Sequence, residues 1–361
     1  MSKKIERIDS LDYLRGIMAL SVMIYHYTSW SISPNELGSE NLLGKLGIYA
    51  VSVFYILSGL SLSMVYNNRI HSKNDVASFF IKRLFRLFPL FWLSIFLVFS
   101  YKCLVSLHTG SELGISLYDL FLNLTLLFGF INPSAYLSVG AWSIGNEVVF
   151  YSIIPVLFYF SGRYKAIIPL CFLLSMILAV YFSFQILSDS LPLSEQWHYY
   201  INPFNQLFLF LSGVILFYIA PYSKIISKKL WSGLLIVLLL SFYLLPVNGD
   251  LINLVTNWNR LLFSALCILT VLAIYIINPK FHTKIAGVFS FMGQGCYSIY
   301  LLHPIVSIPV VMLMNKMGLA NSLAYIFSAI LTLIVSALTY KYIEKPMMDL
   351  GKKLSKRLSR K

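Results

Sequence analysis

The sequence predicts an all-α polytopic membrane helix bundle of about ten transmembrane helices, with both termini cytoplasmic. Three observations lead to that class. The 361 residues are 58% hydrophobic and 12% charged, with a mean hydropathy of +0.76, whereas an average soluble domain is roughly 25% charged. Apolar stretches of about 20 residues, the length that crosses a hydrocarbon core of ~30 Å, recur along the chain. The basic residues behind the net charge of +14 gather in alternate short loops, which marks the cytoplasmic side of a membrane and argues against a nucleic-acid partner.

The spans fall near residues 14–32, 46–66, 87–107, 140–160, 165–187, 203–220, 231–247, 258–278, 290–315 and 321–343. With the N-terminus inside, Lys3, Lys4 and Arg7 precede the first span, and Arg69, Lys73, Lys82, Arg83 and Arg86 separate the second from the third. Arg163 and Lys165 follow the fourth, Lys224, Lys228 and Lys229 the sixth, Lys280 and Lys284 the eighth, and a basic tail the tenth. The outer side keeps little more than Lys45, Lys102, Arg260 and Lys316. Residues 117–131 are apolar but short, and counting them as a span would carry Arg163, Lys165 and the basic tail outside. They read as a short or re-entrant helix on the outer side. No small-residue cleavage pattern follows the first stretch, so no cleavable signal peptide is expected. Residues 1–346 read as one membrane domain and 347–361 as a cytoplasmic tail.

Polar groups inside these spans are the functional candidates, because an ionisable residue in a membrane helix is costly to keep. Arg15 and His26 stand eleven residues apart in the first span. Eleven steps of ~100° end about 20° past three full turns, so both lie on one face, ~16 Å apart in depth. Arg83 and Arg86, three apart at the mouth of the third span, are neighbours on a helix. They form either an anion clamp for phosphates or a positive-inside anchor. Ser143, Glu147 and Tyr151 follow i, i+4, i+8 and make a polar stripe in the fourth span. A buried Glu147 needs a partner or a proton. Trp142 beside it suits an interfacial aromatic belt.

Ser58-Gly59 offers a small surface for close helix packing. Tyr300 and His303, one turn apart before Pro304, either border a polar cavity, or His303 is a hydrogen-bonded structural residue. His71, His108, His198 and His282 read as loop residues. Cys103, Cys171, Cys267 and Cys296 lack metal or disulfide spacing and read as buried structural thiols, so no metal site is expected.

Taken together, Arg15-x10-His26, Phe54-Tyr55-Ile56-Leu57-Ser58-Gly59, Arg83-x2-Arg86-x2-Pro89, Trp142-Ser143-x3-Glu147-x2-Phe150-Tyr151, Tyr297-x2-Tyr300-x2-His303 and Tyr342-Ile343-Glu344-Lys345-Pro346 resemble the acyltransferase-3 family of bacterial membrane O-acyltransferases. The resemblance covers nearly the whole chain. It implies a ten-helix protein of the bacterial cytoplasmic (inner) membrane that moves an acyl group, usually acetyl, from cytoplasmic acyl-CoA to a hydroxyl of a surface glycan or its undecaprenyl-linked precursor. It implies acetyl-CoA as donor substrate with no bound cofactor, activity through Arg15 and His26, and donor binding at Arg83 and Arg86. Family members with a fused SGNH hydrolase-like domain exist, and this chain resembles the stand-alone kind. Trp92, where a tyrosine often follows the proline, and Gly145-Asn146 depart from the usual pattern without touching the ionisable residues.

Imidazole suits removal of a hydroxyl proton near neutral pH, which makes His26 the candidate base; an acyl-histidine intermediate is the second route. Arg15 would meet donor phosphate or pair with Asp12, and Glu147 would orient or charge-stabilise an imidazolium. The sparsely charged outer segments suit a neutral sugar, and lipopolysaccharide O-antigen, capsule, exopolysaccharide, common antigen and peptidoglycan are all admissible acceptors. Two rivals come from other classes: a transporter or flippase of a lipid-linked glycan, which intramembrane His and Glu also suit, and a non-catalytic partner of a glycan synthase.

Overall fold

The computed structural model describes residues 8–31, 37–223 and 225–358, which form sixteen α-helices and no strand. In chain order these begin with α1 (Asp9–Ser31), α2 (Leu42–Tyr66), α3 (Lys73–Thr109), α4 (Leu117–Thr125), α5 (Phe128–Ile131), α6 (Trp142–Ser161) and α7 (Ile167–Tyr181). A π turn, Phe182–Ile186, extends α7. Next come α8 (Trp197–Tyr200), α9 (Pro203–Ser223), α10 (Lys228–Leu244), α11 (Ile252–Val255) and α12 (Asn257–Ile277). The last are α13 (Thr283–Gln294), α14 (Cys296–Lys316), α15 (Asn321–Thr339) and, after a π turn at Tyr340–Glu344, α16 (Lys345–Leu358). Lys3, Lys4, Arg7 and Lys224 lie outside the described residues.

Every expected span coincides with a helix, and among the described residues eight helices are long and apolar enough to cross a membrane. The other two fall short for different reasons. Helix α10 has 17 residues, and α1 carries Asp9, Asp12, Arg15 and His26 among its 23. The stretch expected over 290–315 is interrupted at Gly295, which closes α13 before α14 begins. Residues 117–131 form α4 and α5, of nine and four residues, too short to span.

Helix α3 has 37 residues, so at 1.5 Å each it runs ~55 Å, well beyond the ~30 Å of a hydrocarbon core. Its start is fixed by a capping box, in which the Ser72 side chain accepts from the Asp75 amide and the Asp75 carboxylate accepts from the Ser72 amide. Its end is closed by Gly110 at φ +69°, a conformation that favours glycine.

The chain divides into two compact units, Met1–Ile70 with Val156–Cys296, and His71–Pro155 with Tyr297–Lys361. In the first, small residues let backbones meet. A Cβ on Gly59 would stand 2.0 Å from the Phe210 carbonyl oxygen, and one on Gly213 equally close to that of Ile56, so α2 and α9 touch through two glycines. Gly293 of α13 packs in the same way on the Asp12 carbonyl of α1. Lys45, 1% exposed, donates from Nζ to the carbonyls of Tyr243 and Leu245, at 2.8 Å each, and so satisfies the C-terminal end of α10. In the second unit α16 lies along α3, with Gly351 against Phe85 and the Ser78 and Ser355 hydroxyls 2.5 Å apart.

Candidate active site

Helix α1 presents the first cluster. Arg15 donates from Nη1 to Asp12 Oδ1 at 2.6 Å, the i, i+3 pair that helical spacing allows, and both side chains are largely buried. Its Nη2 reaches across to α2, where it donates to the Ser61 hydroxyl and, at 3.4 Å, to the Leu57 carbonyl. The Phe54–Ser61 segment of α2 thus supplies acceptors to Arg15, while its Gly59 supplies the contact with α9. Ser58 is half-buried.

His26 is half-buried toward the other end of α1, its ring parallel to that of Trp30 with centroids 5.1 Å apart and 5° between planes. Tyr25 lies beside it, tilted by 51° at 5.4 Å, and packs against Gly47 of α2. Because Arg15 meets Ser61 and Tyr25 meets Gly47, α1 and α2 run antiparallel. The imidazole and the guanidinium therefore share one helix but sit at opposite ends of the α1–α2 pair.

The second unit holds the other candidates. Arg83 lies with its guanidinium carbon 5.9 Å from the Phe79 ring and 5.8 Å from the Tyr151 ring, a cation–π arrangement that orients it. Tyr297 is buried, donates its hydroxyl to the Leu87 carbonyl at 2.9 Å, and interacts electrostatically with Glu344, Glu147, Arg86 and Tyr151. Glu344, 3% exposed, accepts from Ser298, which itself accepts from Thr339 at 2.9 Å, and Arg86 supplies opposite charge. The Arg86 and Glu147 expected from the sequence are therefore gathered around Tyr297, joined by Glu344 from the π turn after α15.

Ser143 and Tyr300 are locked in place. The Tyr300 hydroxyl donates to the Gly140 carbonyl at 3.0 Å and accepts from Ser143 at 2.9 Å. Trp142 is 6% exposed, so its indole is packed inside the protein and does not belong to an interfacial belt. His303 is fully buried and its Nδ1 lies 3.1 Å from the Ile299 carbonyl, one turn back, which fits a hydrogen-bonded structural residue.

Several side chains escaped the sequence reading. Ser61 gave no signal, since a hydroxyl in an apolar helix is common and its partner is 46 residues away. Glu344 was visible only as part of a motif. Arg260, read as one of the few cations of the outer side, is 0% exposed in the first turn of α12, a burial that spacing does not announce. His108 and His198 lie in helices α3 and α8, not in loops. Of the four cysteines, Cys267 and Cys296 are buried, whereas Cys103 and Cys171 are partly exposed.

Comparison with known proteins adds a family. The acyltransferase-3 family model, described as an acyltransferase domain, matches residues 8–341. A viral protein named "Putative acetyltransferase ORF330", from Acidianus two-tailed virus, is 26% identical over 295 residues, covering 80% of this chain and 80% of the relative. O-acetyltransferase OatA of Staphylococcus aureus is 24% identical over 374 residues, covering 95% of this chain and 58% of OatA. The chain thus spans little more than half the length of OatA. No solved structure matches.

Proposed function

The chain belongs to the acyltransferase-3 family, and from that premise we propose that it is a multi-pass O-acyltransferase that takes an acetyl group from acetyl-CoA and transfers it to a hydroxyl of a cell-surface glycan or its lipid-linked precursor. The observation that carries the reading is the first helix, where Arg15 is anchored by Asp12 and Ser61 while His26 stands on the same face ~16 Å further along.

The chemistry divides among these groups as follows. His26 takes the proton from the acceptor hydroxyl as its oxygen attacks the thioester carbonyl, and the imidazolium returns that proton to the departing CoA thiolate. The Trp30 ring fixes the imidazole plane. Arg15 steadies the donor from the other end of α1. Arg83 and Arg86 bind the CoA phosphates, the first oriented by Phe79 and Tyr151 and the second balanced by Glu344. Glu147, Tyr151 and Tyr297 order that mouth, and Ser58, Trp142, Ser143, Tyr300 and His303 hold the supporting helices in register. The setting is the bacterial cytoplasmic membrane.

The test is direct. Protein in lipid nanodiscs is given acetyl-CoA labelled in the acetyl group together with a lipid-linked or soluble glycan extract. The reading expects glycan-dependent thioester loss and label in the sugar. Movement of unmodified glycan across a vesicle membrane, without thioester loss, would replace it with the transporter reading.

A further inference from the structure

Arg260, in the first turn of α12, is a fully buried side chain. Its surroundings are unusual for a cation. Nη2 donates to Gln206 Oε1 at 2.9 Å. The guanidinium carbon lies 5.9 Å from the Tyr49 ring, 5.7 Å from Tyr200 and 5.4 Å from Phe208, so aromatic faces from α2, α8 and α9 enclose it. Cation–π contacts lower the cost of burial but do not neutralise the charge. Among the described residues no carboxylate lies within ion-pair distance of Arg260, and its Nη1 is buried with no hydrogen-bond partner. The Tyr49 and Tyr200 side chains also hydrogen-bond the guanidinium, so Nη1 is the donor left over from its fixed fork of five, and a buried unmatched donor of that kind points to a ligand.

The position of this box in the first unit narrows what the ligand is. Helices α1 and α12 run antiparallel, because Ser10 reaches the Ile274 carbonyl at 3.5 Å near one end, while near the other Tyr25 interacts electrostatically with Tyr200 and Asp250. Tyr25 precedes His26, and it packs on Gly47, two residues before Tyr49. The box therefore belongs to the His26 end of α1 and not to the Arg15 end.

We propose that the Arg260 box binds an anionic group of the acyl acceptor, a carboxylate or a phosphoester, while the acceptor hydroxyl is at His26. The inference rests on the acyltransferase reading above and names the acceptor class that reading leaves open. A two-oxygen anion matches the guanidinium fork, taking the unused Nη1. Gln206 holds the other nitrogen in place, and the rings keep water from competing. The acceptor is then an acidic glycan or a polyprenyl-phosphate-linked one, in place of the free neutral sugar that the sparsely charged outer segments suggested.

The experiment uses the whole protein in nanodiscs with acetyl-CoA and four acceptors: a uronic-acid oligosaccharide, its carboxamide, a neutral oligosaccharide, and the same neutral oligosaccharide on polyprenyl phosphate. The readout is the ratio of kcat/KM within each charged and uncharged pair. One pair is expected to favour its charged member about tenfold or more, the scale of a charge-assisted hydrogen bond, and the pair that does so identifies carboxylate or phosphoester. Arg260→Gln, checked for folding by size exclusion, is expected to bring that ratio close to one, and Arg260→Lys to recover part of it. Ratios near one in the unmodified protein would overturn the proposal, and so would a preference that survives in Arg260→Gln. Should Arg260→Gln fail to fold, the ratio in the unmodified protein decides alone. Transfer to none of the four acceptors would remove the acyltransferase premise and the proposal with it.

Discussion

Arg15 shows how much a single residue depends on neighbours near and far in sequence. Asp12 is one turn back on the same helix, so the ion pair was legible from spacing alone. Ser61 belongs to another helix, and no periodicity announces it. Asp12→Asn keeps the size of the side chain and removes the charge, leaving the guanidinium held only from α2. The expected result is a fall of about tenfold in kcat/KM for acetyl transfer with folding intact, since a hydrogen bond to a charged partner is worth ~1.5–3 kcal/mol. An unchanged rate would show that Arg15 needs no anchoring. Arg260 is the opposite case, a residue whose burial charge counting does not reveal. Positive-inside reasoning sees a cation at the outer end of the 258–278 span and records only its side of the membrane. Its burial depends on Tyr49, Tyr200 and Phe208, brought from three other helices, and tertiary packing of that kind has no local signature.

Helices were the most readable elements, because their length and apolarity are dictated by the bilayer and not by partners. The ends were less so. The start of α3 at Lys73, well before the apolar stretch begins, is set by Ser72 and Asp75, and Ser72→Ala is expected to cost about 1 kcal/mol, seen as a lower Tm. Packing between elements follows the small residues. A side chain on Gly59 would collide with the Phe210 carbonyl, which is backbone and cannot swing aside, so Gly59→Val is expected to lower stability by well over ~1–3 kcal/mol or prevent assembly. Gly233, in the middle of α10, has nothing within 4 Å of an added Cβ, and Gly233→Ala there is expected to be neutral or to stabilise by up to about 1 kcal/mol. Thermal unfolding of both variants in the same detergent compares them; equal shifts would contradict the assigned α2–α9 contact. The break at Gly295 is signalled locally by Gly293-Gln294-Gly295, but the apolar residues on either side of it were counted as one stretch.

At the scale of the whole molecule, a family-wide activity meets a particular arrangement of charges. The six motifs were legible because each joins residues close in sequence. What sequence could not supply is the grouping of Arg86, Glu147 and Glu344 about Tyr297, residues from three distant stretches of the second unit. In the proposed reaction His26 is the base for acetyl transfer. That role is decided by comparing acetyl transfer to glycan by the unmodified protein and by His26→Ala, both in nanodiscs and both shown to be folded. General-base catalysis contributes ~10²–10⁴-fold, so the expected result is a loss of at least about a hundredfold in kcat with thioester binding retained. A variant that still transfers acetyl within about threefold of the native rate would contradict it.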